Sequence, residues 1–324
     1  MHVERYDARD AREWDAFVSR SRNGTFLLTR PYMDYHADRF PDHSLVLRNG
    51  DGAIVAVCPA TLKDDVLASH AGLTYGGFIT DDTMKTPRML ELMEAVLGYC
   101  RGLGFGRMIY KTIPHIYHRA PAEEDRYALF LCNAAVTRRA VLTVVDQRAR
   151  LPLQIRRARG LQKARRVPLD VRESDDYAAF WPILAARLRE AHGVSPVHTL
   201  DEIRLLHGRF PANIRLFGAF DRSEMVAGVV VYASDFVAHV QYIATTPRGR
   251  DCGALDLIFS VLLDETFRAT RFFDFGTADE CDGRSLNLGL IEHKEGYGGR
   301  AIVHDHYQVA VDNVRPGQLT DALQ

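Results

Sequence analysis

The chain has 324 residues, 47% of them hydrophobic and 26% charged, with a formal net charge of −1. This length exceeds what one hydrophobic core fills and points to two domains, while the balanced charge excludes a global electrostatic case for nucleic acid or an anionic membrane. Met1–Arg20 carries five acids and no apolar run, unlike a signal peptide, the longest apolar stretches are strand-sized, and the five scattered cysteines form no C-x-x-C pair, which suits reduced thiols in a cytoplasmic protein.

In the first half, Arg12–Arg20 and Arg30–Phe40 read as helices. Ser44–Arg48 and Ala53–Thr61 read as two strands around Asn49-Gly50-Asp51-Gly52, a strong hairpin signal. Thr86–Gly102 places Met89, Leu92, Met93, Val96, Leu97 and Cys100 on one helical stripe, and Met108–Thr112 follows as a strand.

Arg148–Arg166 then holds seven arginines and one lysine with no carboxylate. It reads as a solvated connecting helix or as a contact for a phosphorylated substrate, since guanidinium forks match phosphate geometry. The division expected is 1–147, a basic connector at 148–166, and 167–324.

The second half repeats the plan of the first. Tyr177–Ala191 and Thr199–Arg209 read as helices, the latter opened by the capping-box pair Thr199 and Glu202. Strands are expected at Ile214–Phe220, Val226–Ala233 and Val237–Thr245, then a helix at Ala254–Arg268, a strand at Arg271–Gly276, a helix at about Ser285–Lys294 and a strand at Ala301–Val311.

This order carries recognisable runs: Ala227-Gly228, His239-Val240-Gln241-Tyr242-Ile243, Gly253-Ala254-Leu255-Asp256, Phe273-Asp274-Phe275-Gly276, the stretch from Leu286 to Arg300, and His304-Asp305-His306-Tyr307. Together they resemble the C-terminal domain of the FemAB-like GNAT acyltransferases, many of which accompany cell-envelope or surface-polysaccharide synthesis. The first half resembles the family's partner domain through the runs Ser69 to Gly77 and Lys111 to His118. The resemblance implies an α/β (α+β) fold class with two tandem GNAT-like domains, each a mixed, mostly antiparallel sheet flanked by helices. It implies a degenerate, acceptor-side first domain and a donor-binding, catalytic second one.

An amine attacking an ester or thioester requires a neutral nucleophile held in line and donors aimed at the developing oxyanion. In the GNAT scheme a strand pair parts around Gln241, Ile243 and Thr245, freeing backbone N–H groups. The turn Thr245–Gly253, with Arg248, Gly249, Arg250 and Gly253, then opens the helix at Ala254. A helix N-terminus of this kind suits a coenzyme A pyrophosphate, although Leu255 departs from the usual Gly/Ala and Asp251 adds a negative charge. Asn287-x-x-Leu290-x-x-x-Lys294 resembles the GNAT Asn-x-x-Ala-x-x-x-Tyr pattern with lysine in place of tyrosine, which makes Lys294 the first candidate, as general acid or phosphate contact.

Asp274, Asp279 and Glu280 are candidate bases or loop-holding acids, His239 a base or a core histidine, and Tyr307 a second candidate acid. His70, Tyr75, Lys111, His115 and Tyr117 read as one wall of an acceptor cleft, or equally as structural residues. His304-x-His306 lacks a third ligand, so no metal is expected. The leading expectation is an N-acyltransferase moving acetyl or a similar group from acetyl-CoA or another acyl-CoA to a phosphorylated amine, such as a nucleotide-linked amino sugar or a similar envelope or polysaccharide precursor. The alternatives are an aminoacyl-tRNA-dependent FemX-like transferase and a non-catalytic binding protein.

Overall fold

The computed structural model describes residues 1–323, His192 by its backbone only. The chain forms two compact units, Met1–Ala140 with Val303–Gln324, and Val141–Ile302. In unit 1 the elements run β1 His2–Arg5, α1 Ala11–Arg20, α2 Arg30–Met33, β2 Leu45–Arg48, β3 Ile54–Cys58, β4 Thr61–Lys63, β5 Val66–Ala68, β6 Ile79–Thr80, α3 Thr86–Gly102, β7 Arg107–Lys111 and α4 Glu124–Leu131. The chain passes into unit 2 within β8 Ala135–Asp146 and continues as α5 Ile155–Ala164, β9 Leu169–Ser174, α6 Tyr177–His192, α7 Leu200–Arg209, β10 Ile214–Asp221, β11 Glu224–Ala233 and β12 Val237–Thr245. It goes on through α8 Pro247–Cys252, α9 Ala254–Val261, β13 Phe272–Thr277, β14 Asp279–Glu280, β15 Ser285–Leu286 and α10 Leu288–Glu295, and returns to unit 1 along β16 Arg300–Ala310.

Unit 1 is built on an antiparallel sheet ordered β1-β2-β3-β6 and on the neighbours β4-β5-β7-β16, in which β5 and β7 are parallel. The hairpin expected at Asn49–Gly52 forms because the Asn49 carboxamide oxygen accepts from the N–H groups of Asp51 and Ala53, at 3.0 and 2.9 Å. The single strand expected over Ala53–Thr61 splits at Pro59: β3 pairs with β2, whereas Thr61–Lys63 pairs with β5, since proline has no N–H to carry a ladder onward. Helix α3 buries its expected stripe in the core of this unit with Leu45, Leu47, Val55 and Val309. Arg30–Phe40 is helical only to Met33, after which the chain tightens into a 3₁₀ turn.

In unit 2, β9, β10, β11 and β12 form an antiparallel meander, β12 runs parallel to β13, and β13 pairs antiparallel with β8. Helix α9 packs Ile258 and Phe259 into a core with Val229, Val231, Phe273 and Tyr297. Its regular part ends at Val261, seven residues short of expectation, in a wider π turn over Leu262–Thr266. The helix expected from about Ser285 starts at Leu288, because Ser285–Leu286 pairs with Asp279–Glu280 in a two-stranded hairpin. The arginine-rich segment folds as α5 inside this unit.

Thr199 caps α7 in the reciprocal box, its side chain accepting from the Glu202 N–H and the Glu202 carboxylate accepting from the Thr199 N–H. Thr199→Ala is expected to lower stability by about 1 kcal/mol in urea denaturation. Among the described residues no helix is long and apolar enough to cross a membrane.

Candidate active site

Strands β12 and β13 pair only as far as His239 opposite Asp274 and then part. A bulge in β12 starts the divergence: Val230 of β11 pairs with Tyr242 and Val231 with Val240, so Gln241 is the extra residue. On the other strand Gly276 adopts φ +70, a left-handed conformation open to glycine without strain, before Thr277 pairs again with β8. The expected parting around Gln241, Ile243 and Thr245 is therefore present, and β13 makes no ladder with these residues.

Three chemically distinct groups lie in this part of the fold. Asp274, 1% exposed, accepts from the Gly276 N–H at 2.7 Å and from His239 Nδ1 at 2.8 Å. A carboxylate on Nδ1 fixes the ring proton there and leaves Nε2 as an acceptor. Lys294 of α10 is 5% exposed and donates from Nζ to the Thr277 carbonyl at 2.5 Å. Burial pulls its pKa down to about 8, against the opposing fields of Asp274 and Asp279. The fork thus offers a proton acceptor, a carboxylate behind it and a desolvated ammonium.

The lysine has a consequence for stability. Its folded pKa of about 8 lies below the ordinary 10.5, so between these values the unfolded chain binds the proton more tightly, and this group's contribution to stability rises with pH across that window. Lys294→Met is expected to abolish a rise on the order of 2–3 kcal/mol, visible in the difference between the two proteins' denaturation midpoints at pH 7.5 and pH 10.5.

Glu280 and Asn287 hold structure beside the fork. Asn287 caps α10, its Oδ1 accepting from the Leu290 N–H at 3.0 Å, and its Nδ2 donates to the exposed Glu280 at 2.9 Å. Asp279 accepts from the Val141 N–H at 3.2 Å.

The expected donor turn is differently made. Residues 247–252 form α8, capped by Thr246. Arg248 pairs with Asp221 at 2.8 Å, Gly249 lies beneath the Val226 carbonyl, Arg250 is exposed and Ala254 is buried. Gly253, at φ +77, faces α5: a Cβ there would stand 2.6 Å from the Gly160 carbonyl oxygen, and a Cβ on Gly160 would overlap the Asp256 carboxylate. Arg157 fastens this contact by donating to Asp256 at 2.9 Å and to His293 Nδ1 at 3.1 Å, while the Tyr297 hydroxyl donates to the same Asp256 oxygen at 2.8 Å. At the start of α9, two glycines thus let α5 approach closely, and the buried Asp256 carboxylate lies in the first turn. Gly160 and Arg157 escape a sequence reading that treats 148–166 as a connector, although a glycine inside a cationic helix is itself a signal of close approach.

The first-half candidates lie in unit 1. Lys111 donates to three carbonyls of one loop, those of His70, Ala71 and Leu73, at 3.1, 3.1 and 2.8 Å. Tyr75 and Tyr117 are buried with ring centroids 4.7 Å apart, the Tyr75 hydroxyl bonded to Thr25 Oγ1 at 2.9 Å. His115 is exposed. Tyr307 donates to Asp305 at 3.3 Å. Among the described residues no group of three or more His, Cys, Asp or Glu is arranged to hold a metal ion.

Residues 146–294 match the family model described as an acetyltransferase (GNAT) domain. No curated protein matches the sequence. Among solved structures the chain is similar to FemX, at 10% identity and a TM-score of 0.67 over 100% of both chains. It is also similar to the C-terminal domain of a putative lysylphosphatidylglycerol synthetase from Agrobacterium fabrum, at 14% identity and 0.58 over 98% of this chain and 96% of that one. A tandem GNAT protein from the clavulanic acid biosynthesis pathway superposes at 10% identity and 0.50 over 96% and 98%. At these identities the likeness is one of fold.

Proposed function

Proceeding from a FemAB-like chain of GNAT fold, we propose that it transfers an aminoacyl group from a tRNA ester onto an amine, at the parted ends of β12 and β13. The observation that carries this reading is α5. The helix lies on the first turn of α9, where a coenzyme A pyrophosphate would otherwise be cradled; it exposes Arg156, Arg159 and Lys163, and the turn after it exposes Arg165 and Arg166, none of which meets a carboxylate in an ion pair among the described residues. A donor whose many phosphates lie along a cationic helix suits that surface better than one anchored by a single pyrophosphate.

In this reading the amine nitrogen attacks the ester carbonyl and His239 Nε2 takes its proton, the imidazolium being stabilised by Asp274. Lys294 and the freed amides of β12 face the oxyanion. The carbon–oxygen bond to the ribose then breaks, and the ribose hydroxyl leaves with the proton that His239 returns.

A second reading keeps an acyl-CoA as donor, supported by the acetyltransferase description of residues 146–294; it requires α5 to lift from α9. In both readings the acceptor class is a phosphorylated amine such as a nucleotide-linked amino sugar. The test offers aminoacylated bulk tRNA and acetyl-CoA side by side with a panel of such amines. Protein-dependent loss of the label from tRNA, falling steeply with salt, is expected. Thiol release from acetyl-CoA without turnover of the charged tRNA would overturn the tRNA reading in favour of the second.

A further inference from the structure

Helix α5 has two unlike faces. Leu161 and Ala164 are buried and Gly160 lies against Asp256, so this side rests on α9. On the outward side Arg156, Arg159 and Lys163 recur at intervals of three and four and form one exposed row. The row has a direction. Its first turn meets the end of α10, where the Gln154 N–H donates to the Gly296 carbonyl at 2.9 Å and Arg157 donates to His293 Nδ1 at 3.1 Å. Its last turn lies over the junction of α8 and α9, with Ala164 beside Gly253.

His293 completes the α10 end of this row. A guanidinium only donates, so Nδ1 accepts and Nε2 carries the ring proton. Burial, with the positive fields of Arg157, Lys294 and Arg156, pulls the pKa of the ring down to about 4 and keeps it neutral. Among the described residues none accepts from the Nε2–H, and it is not one of the polar atoms buried without a partner, so it opens to solvent. Arg156 is exposed and close enough for its charge to act on both His293 and Asp256. Asp256 is itself committed to Arg157 and Tyr297.

We propose that Arg156 and the His293 Nε2–H form the first phosphate subsite for the donor, holding the last phosphodiester of the RNA, next to the aminoacylated ribose. The guanidinium supplies charge and a planar fork, and the neutral imidazole adds a hydrogen bond without a second charge to desolvate. Lys294, the next residue of α10, belongs to the fork, so this end of the row is the one beside the ester. The strand then runs along Arg159 and Lys163 towards Arg165 and Arg166. This polarity rests on the transfer reading, but occupancy of the subsite is measured without turnover.

The full-length chain is titrated by fluorescence anisotropy at low salt with an end-labelled cytidylyl-cytidylyl-adenosine trinucleotide, the sequence that ends every tRNA, and with uncharged bulk tRNA. Saturable binding of both is expected. Arg156→Gln should weaken the trinucleotide about tenfold, as should His293→Asn, which keeps an acceptor for Arg157 and loses the outer donor. His293→Gln restores a donor at the place of Nε2 and should bind within about twofold of the wild-type chain. Arg165→Gln combined with Arg166→Gln should leave the trinucleotide unchanged, weaken tRNA and lower its salt slope by about one to two. The subsite is refuted, with the transfer reading intact, if tRNA binds and the trinucleotide does not. It is refuted in the same way if the trinucleotide responds to the Arg165 and Arg166 changes and to neither Arg156 nor His293. Equal losses in His293→Gln and His293→Asn would overturn the role of the imidazole donor. Absence of binding by either RNA overturns the transfer reading as well, and capture of phosphatidylglycerol vesicles in their place would assign the row to lipid.

Discussion

Lys294→Met is expected to lower the rate of acyl transfer by about 10²–10³ while leaving the fold at least as stable at neutral pH. The two halves of this expectation have one cause. An ammonium almost wholly removed from water is poorly solvated and donates a hydrogen bond to the Thr277 carbonyl, so the chain keeps it against a desolvation penalty. Methionine has a similar length, fills the same volume and removes the penalty. In the proposed transfer this buried charge opposes the developing oxyanion. Single-turnover rates and urea denaturation on the same protein separate the effects. A variant that loses stability and keeps its rate would make Lys294 a structural residue.

Arg157→Ala should destabilise the protein by about 3 kcal/mol, because it strands a buried carboxylate. Asp256 and Arg157 are both about nine-tenths buried, and their contact joins α5 to α9. Burial already raises the pKa of Asp256, with Tyr297 and Arg157 opposing the rise; without the guanidinium, Tyr297 alone bonds that oxygen from the hydroxyl side. Combining Arg157→Ala with Asp256→Asn should recover part of the loss, a coupling that a double-mutant cycle in denaturant reads directly. Additive losses would mean that the pair is not what fixes α5.

The sequence pattern made the framework legible where periodicity and turn chemistry act locally. The α3 stripe, the Asn49–Gly52 hairpin and the Thr199 box follow from spacings of three or four residues. The parting of β12 and β13 came through resemblance, as did the choice of Lys294 as a candidate, whose depressed pKa depends on burial by residues distant in the chain. What stayed hidden depends on approach between separate segments. Gly160 and Gly253 become meaningful only when 155–164 is known to lie on 254–261. In the same way, the Asn287 interval, read as part of a catalytic pattern, is first of all the cap of α10 and a tie to Glu280. The carboxylate behind His239 is set by a parallel strand pairing across 35 residues, and no local spacing reports such a pairing.

The most direct test of the transfer site is the pH dependence of single-turnover aminoacyl transfer from charged tRNA to a small neutral amine, in the wild-type chain and in Lys294→Met. In the wild-type chain the rate should fall as pH rises through about 8, where Lys294 gives up its proton, and the variant should be slow throughout with that falling limb absent. A variant that transfers at the wild-type rate, or that keeps the same limb, would contradict the account.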